Sequence, residues 1–265
     1  MPVDLELNEI IKNNKWYQRF SIEGIETNGL FDWRPYFENF KNEKIIFKNK
    51  SLIDVGPGDG FFSYKFKELG AKVTAYDIIN QAERDNYNFG EANIKFDSQG
   101  NIRKRNSNNN FNFELINKIL NLNIDLIYGN IYELSKIKLK YDIVFCNDVL
   151  MHLTDPIKAI YNLKNVSKKY VIIGNPIIDD RLKIRNIKSF ISSIGYFFLR
   201  KSAISSFLGK SDRNAYWILN KNGFKSLVES AGIKIIDTKI IYPKIEDFFS
   251  NRPRMIIFGV INNKF

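Results

Sequence analysis

Ser51-Leu52-Ile53-Asp54-Val55-Gly56-Pro57-Gly58-Asp59-Gly60-Phe61 is the stretch on which the reading of the chain turns. A short apolar run enters a turn with three glycines, and a helical pattern leaves it. Phe62, Phe66 and Leu69 recur at i, i+4 and i+7, and Gly70 ends the run. Strand, glycine-rich turn and helix N-terminus, in that order, build a corner that cradles a nucleoside-bearing ligand. Gly56, Gly58 and Gly60 are read as removing side chains where that ligand meets the backbone, with a merely tight turn as the alternative. Asp77 stands about 20 residues further on, where ribose recognition expects an acid.

The pattern alternates downstream of this corner. Strands are predicted over 51–55, 72–76, 124–128, 142–146, 170–174, 233–241 and 254–261. Helices are predicted after the glycine turn, near 113–121, after Thr154-Asp155-Pro156, and over 220–231. Such alternation means an α/β, doubly wound, mostly parallel sheet. Two stretches interrupt it. Residues 84–112 are polar and asparagine-rich, and read as a surface insertion. Residues 177–214 mix basic and aromatic side chains; they read as an inserted helical lid, an RNA or membrane contact, or a solvated helix. Upstream, residues 1–50 form an N-terminal helical and aromatic extension, with the catalytic domain over 51–265.

The 265 residues suffice for one large α/β domain with additions or for two small domains, and 44% hydrophobic content supports a sizeable core. A net charge of +11 points to an acidic partner, although an excess of Lys, Asn and Ile reads equally as compositional bias. One cysteine, Cys146, and one histidine, His152, exclude a disulfide framework, cysteine-ligated zinc and a histidine-rich metal site, so no metal is expected. Asp4 and Glu6 with no apolar segment argue against a signal peptide. The longest apolar run, 190–199, is far below the about 20 residues that span a bilayer. These readings predict a soluble cytoplasmic protein.

The spacing at the turn discriminates between cofactors. Dinucleotides take Gly-x-Gly-x-x-Gly with pyrophosphate on the helix N-terminus. Here the spacing is Gly-x-Gly-x-Gly, preceded by Asp54, which repels a pyrophosphate and suits a ligand with an ammonium group. Asp54 is therefore expected to orient that ammonium, and Asp77 to take the ribose diol. No Walker pattern is present.

These residues resemble class I S-adenosylmethionine-dependent methyltransferases, and more narrowly the group related to the tRNA wobble-uridine carboxymethyltransferases. The resemblance rests on Trp16-Tyr17, Gly29 with Asp32-Trp33-Arg34-Pro35, residues 54–61, Val149-Leu150-Met151-His152-Leu153-Thr154-Asp155-Pro156, Tyr216-Trp217 and Arg254. It implies a seven-stranded Rossmann-like sheet whose last strand is antiparallel, and it puts Asn130 where the class contacts adenine; a plain turn residue is the alternative. Where the tRNA enzymes carry a tyrosine that reads the extra carboxylate of carboxy-S-adenosylmethionine, this chain has Met151. Ordinary S-adenosyl-L-methionine is thus the expected cofactor.

Asn147 and Asp148 end a strand at the carboxyl edge, where ligands bind in open sheets. Asn147 is a candidate cofactor contact and Asp148 a candidate catalytic residue, with turn chemistry the alternative for both. His152 is the candidate general base, or a structural histidine. Trp16, Tyr17, Trp33, Tyr216 and Trp217 are candidates to stack on a ring or to fill the core. The expected reaction is O-methylation of a glycan or other small-molecule hydroxyl. The alternatives are tRNA wobble-uridine (carboxy)methyl transfer and an inactive cofactor-binding RNA-binding or scaffold protein.

Overall fold

The computed structural model describes residues 3–78, 111–178, 202–208, 215–247 and 252–261. The insertion expected at 84–112 lies outside these residues except for its last two. The lid expected at 177–214 lies outside them except for 177–178 and 202–208.

The extension comprises α1 (Val3–Asn13), four two-residue strands β1 (Gln18–Arg19), β2 (Ser21–Ile22), β3 (Ile25–Glu26) and β4 (Phe31–Asp32), and a 3-10 segment over Arg34–Phe40. The core follows with β5 (Ser51–Val55), α2 (Phe61–Glu68), β6 (Lys72–Asp77), α3 (Phe111–Ile119), β7 (Asp125–Tyr128), β8 (Tyr141–Asn147), α4 (Pro156–Asn165) and β9 (Ser167–Pro176). A small hairpin, β10 (Ser205–Phe207) and β11 (Trp217–Leu219), precedes α5 (Lys221–Ser230), β12 (Lys234–Ile241) and β13 (Arg254–Val260).

Seven strands form one sheet in the order β12-β13-β9-β8-β5-β6-β7. β13 runs antiparallel to both of its neighbours, and the other pairs are parallel. The mostly parallel, doubly wound α/β sheet expected from the sequence is the one observed. From β5 the chain builds outward through β6 to β7, then returns to the other side of β5 for β8 and β9. The order therefore reverses between β5 and β8, and the crevice at their carboxyl ends is the switch point where open sheets bind ligands.

Capping chemistry sets the helix starts that border this edge. Asp155 accepts from the Lys158 N–H at 2.9 Å with Pro156 in the first turn of α4, and Asn220 accepts from the Gly223 N–H at 2.7 Å at the start of α5. The sheet is buried on both faces, as parallel strands with crossover helices require. Leu52, Ile143, Phe145, Ile172, Ile256 and Phe258 pack with α2 and with Trp16, Phe20, Trp33, Phe37 and Phe40 of the extension. Ile53, Val55, Val144, Cys146, Val171 and Ile257 pack with α4 and α5. The extension thus shares the core of the sheet, and residue 50 separates no two cores. It is also only partly helical: residues 18–32 form a parallel β1–β4 pair and a β2–β3 hairpin that turns through Glu23 and Gly24, both at positive φ.

Candidate functional site

The site is built where β5, β6, β7, β8 and β9 end and β13 begins. On the β5 side, the glycine turn is packed by protein rather than left bare. Gly56 has φ +78°, and a Cβ there would come within 2.4 Å of Val149 Cγ2, so the turns after β5 and β8 touch across the switch point. Gly60 has φ +101° and lies against Tyr64 and Phe113, at 2.5 and 2.7 Å from a Cβ placed there. Gly58 lies against Gln18 and Tyr17. The missing side chains of these glycines make room for the extension, α2, α3 and the β8 turn.

Asp54 also faces inward. It is almost fully buried, its Oδ2 accepts from Ser63 Oγ at 2.6 Å, and the Ser63 N–H also bonds to it. A carboxyl from β5 thereby caps the first turn of α2. Burial pushes Asp54 up to about 7, opposed by the Ser63 hydroxyl and reinforced by the charge of Asp77. Of the residues that sequence reasoning passed over, Asp59 and Gln18 matter most here. Asp59 Oδ2 accepts from the Tyr17 and Gln18 N–H groups at 2.6 and 2.7 Å, and its Oδ1 accepts from Asn112 Nδ2 at 3.2 Å. Gln18 Oε1 in turn accepts from the Phe61 N–H at 2.9 Å. The N-terminus of α2, the ordinary seat of a pyrophosphate, is closed by an amide oxygen and flanked by two buried acids.

Asp77 is half-buried at the end of β6. Its backbone carbonyl accepts from Gly129, and its Oδ1 accepts from the Ile78 N–H at 2.8 Å. Asn130 is the N-cap of a 3-10 segment over Ile131–Ile137, and its Oδ1 accepts from the Tyr132 N–H at 2.9 Å. Of the two readings open for Asn130, the geometry displays the turn role.

Beyond the switch point the chemistry changes. Asn147 ends β8 with its side chain laid over Gly174, at 2.0 Å from where a Cβ would stand, and its buried Oδ1 has no hydrogen-bond partner. Asp148 follows at φ +54°, an uncommon conformation for a non-glycine residue. Its Oδ2 meets Arg254 Nε at 3.3 Å, while its Oδ1 is buried without a partner. Burial raises the Asp148 carboxyl, and the Arg254 guanidinium opposes that rise. Arg254 is 2% exposed, donates from Nη1 to the Arg252 carbonyl at 2.6 Å, and lies 6.0 Å from the centroid of the Trp33 ring. Asp148 is therefore one half of a buried ion pair.

His152 closes a 3-10 turn over Leu150–His152 and is half-buried. The chain after β10 packs on this turn: the Tyr216 N–H donates to the Met151 carbonyl at 2.8 Å, and Trp217 Nε1 donates to the Thr154 carbonyl at 3.2 Å. Trp16, Trp33 and Tyr216 are buried and fill the core, whereas Tyr17 and Trp217 keep exposed surface.

Native proteins pair more than about 90% of buried polar groups, and the two adjacent unpaired acceptors at this switch point suit a ligand that donates hydrogen bonds. Asp77, Asn147 and Asp148 offer oxygen acceptors toward ligand hydroxyls or an ammonium. A nucleoside ligand without phosphate fits this donor demand; a dinucleotide meets a capped helix and carboxylates. Among the described residues no group of three or more His, Cys, Asp or Glu could hold a metal ion, and no helix is long and apolar enough to cross a membrane.

Residues 30–229 match the family model described as methyltransferase domain. The chain is 25% identical over 254 residues to a tRNA U34 carboxymethyltransferase of Campylobacter fetus, covering 96% of this chain and 69% of that one. It is 23% identical over 265 residues to the protein of the same name from Nautilia profundicola, covering 98% and 73%. Among solved structures, the N-terminal domain of EvdMO1, determined in the presence of SAH and D-fucose, superposes with a TM-score of 0.58 at 12% identity, covering 99% of this chain and 98% of that one. That likeness is one of fold.

Proposed function

Since the chain belongs to the methyltransferase domain family, we propose that it transfers a methyl group from S-adenosyl-L-methionine to a hydroxyl oxygen of a glycan or other small molecule. The observation that carries this reading is the pair of open, buried acceptor oxygens, Asn147 Oδ1 and Asp148 Oδ1, across the switch point from the glycine turn. S-adenosylmethionine, when bound, supplies a methyl group already activated on a sulfonium. The protein's own tasks are then to hold two groups in line and to manage one proton.

Asp77 takes the ribose hydroxyls at the end of β6. The closed N-terminus of α2 turns phosphate-bearing competitors away. Asn147 and Asp148 accept hydrogen bonds from ligand donors, and Arg254 opposes the rise that burial imposes on the Asp148 carboxyl and fixes its direction. Asp148 is thus a binding residue rather than a base. His152, one turn beyond it, takes the proton of the acceptor hydroxyl; a sugar hydroxyl is a weak acid and gains most from such a base. The likeness to the EvdMO1 domain, solved in the presence of D-fucose, supports a sugar-sized acceptor.

A second reading, transfer to a tRNA base, is favoured by the relatives that align over 96% and 98% of the chain and by the net charge of +11. Production of S-adenosylhomocysteine with monosaccharide, oligosaccharide and tRNA acceptors separates the two. Turnover confined to tRNA, with RNA binding that weakens steeply as salt rises, would overturn the hydroxyl reading. Cofactor binding with no turnover on either class would favour a binding protein.

A further inference from the structure

The polar grip of the N-terminal strap, residues 14–33, on the sheet is concentrated at one side chain. Asp59 reaches back 41 and 42 residues to accept the N–H groups of Gln18 and Tyr17 on one oxygen. Its other oxygen accepts from Asn112 Nδ2, which also donates to the Lys15 carbonyl at 2.9 Å. Gln18 returns the contact through its bond from the Phe61 N–H. Strap, glycine turn, α2 and the start of α3 meet at this one carboxylate.

Attachment alone does not require such a clasp. Trp16, Phe20 and Trp33 are already buried in the core on the same side. Apolar packing tolerates sliding, whereas a buried carboxylate with three donors accepts one register only. The register it fixes is that of Tyr17. The backbone of Tyr17 is held, yet its ring is 44% exposed. The ring lies beside the outer surface of the turn, with Cδ1 3.6 Å from the position of a Gly58 Cβ, and it is tilted on Phe31 at 4.6 Å between centroids.

We propose that Asp59 is a positioning residue that clasps the strap to the glycine turn, so that the Tyr17 ring forms the cofactor pocket's wall beside Gly58. This rests on the reading of the turn as an S-adenosylmethionine site. It makes the extension a working part of the cofactor corner.

Calorimetry on the full chain with S-adenosylhomocysteine as the probe tests it. Tyr17→Ala keeps the N–H, and so the clasp, and removes a ring that is 44% exposed. It is expected to weaken binding about tenfold, as loss of an aromatic contact does, and to shift the melting temperature by no more than about 2 °C. Asp59→Asn places an NH2 where two oxygens accept, and is expected to weaken binding at least about tenfold. It should also speed amide exchange at Tyr17 and Gln18 while β5 stays protected. Because Asp59 acts through Tyr17, the double variant is expected to lose no more than the worse single variant. Affinity within about twofold of wild type in both single variants overturns the proposal, even if Asp59→Asn melts earlier. Additive losses in the double variant overturn it too. A wild-type chain that binds no S-adenosylhomocysteine brings down the cofactor reading itself, which separates that failure from failure of the clasp.

Discussion

The two halves of the carboxyl edge are finished to different degrees. On the β5–β6 half, each acid has a protein partner: Asp54 holds Ser63, Asp59 holds the strap, and Asp77 accepts from Ile78. On the half formed by β8, β9 and β13, a carboxylate is ion-paired on one oxygen and open on the other, beside an open amide oxygen. The first half is a scaffold that holds its shape through internal bonds. The second leaves two buried oxygens without a hydrogen-bond partner. A site that binds one constant cofactor and one reacting acceptor needs both kinds of construction.

The largest expected effect lies on the open half. Arg254→Met leaves Asp148 buried with no counter-charge, which costs about 3–5 kcal/mol of stability in denaturant unfolding. Adding Asp148→Asn should recover most of it. A loss below about 1 kcal/mol would mean that solvent reaches the pair and that the two halves differ less than their burial implies. Next comes His152→Ala, expected to lower kcat about 100-fold, or about 2.7 kcal/mol of barrier, with S-adenosylhomocysteine affinity unchanged in calorimetry. An unchanged kcat would make His152 structural and leave the open half a binding surface alone.

On the closed half the effects are on shape. Gly56→Ala must hold φ +78° and displace Val149, so thermal unfolding should show a loss of about 2 kcal/mol. A neutral result would show that the turns after β5 and β8 do not bear on each other. The most gradual effect is in pH. Asp54 rises from 3.8 in the unfolded chain to about 7 in the fold, so the fold binds the extra proton between those values. Stability from this group is full below the lower value, declines by about 1.4 kcal/mol per pH unit at most as pH rises toward the higher one, and is level above it. Asp54→Asn should flatten that slope in unfolding measured from pH 5 to 8.

The glycine turn was legible because its signals are local: an apolar run, glycines at fixed offsets, and an acid at the next strand end. The seven strands were legible for the same reason, with ends displaced by three residues at most, as at β9, which begins at Ser167 rather than 170. The role of Asp59 was not legible. An acid between two glycines reads as turn chemistry, and its partners lie 41 and 42 residues upstream at backbone groups that carry no side-chain signal. At Asp54 the place at the strand end is legible in the sequence, whereas the rotation toward Ser63 is not. The extension is helical through Asn13; the strand pairs over 18–32 depend on partners up to 13 residues apart rather than on a local period.

The sequence by itself determined the α/β sheet, the corner at 54–60 and the kind of ligand that corner admits, because periodicity, glycine spacing and strand-end acids are properties of consecutive residues. Only the tertiary structure decided which polar groups are already used and which remain open. The Asp148–Arg254 pair joins residues 106 apart. Whether a buried oxygen finds a partner depends on what the fold packs against it, and that information is carried by no short stretch of chain.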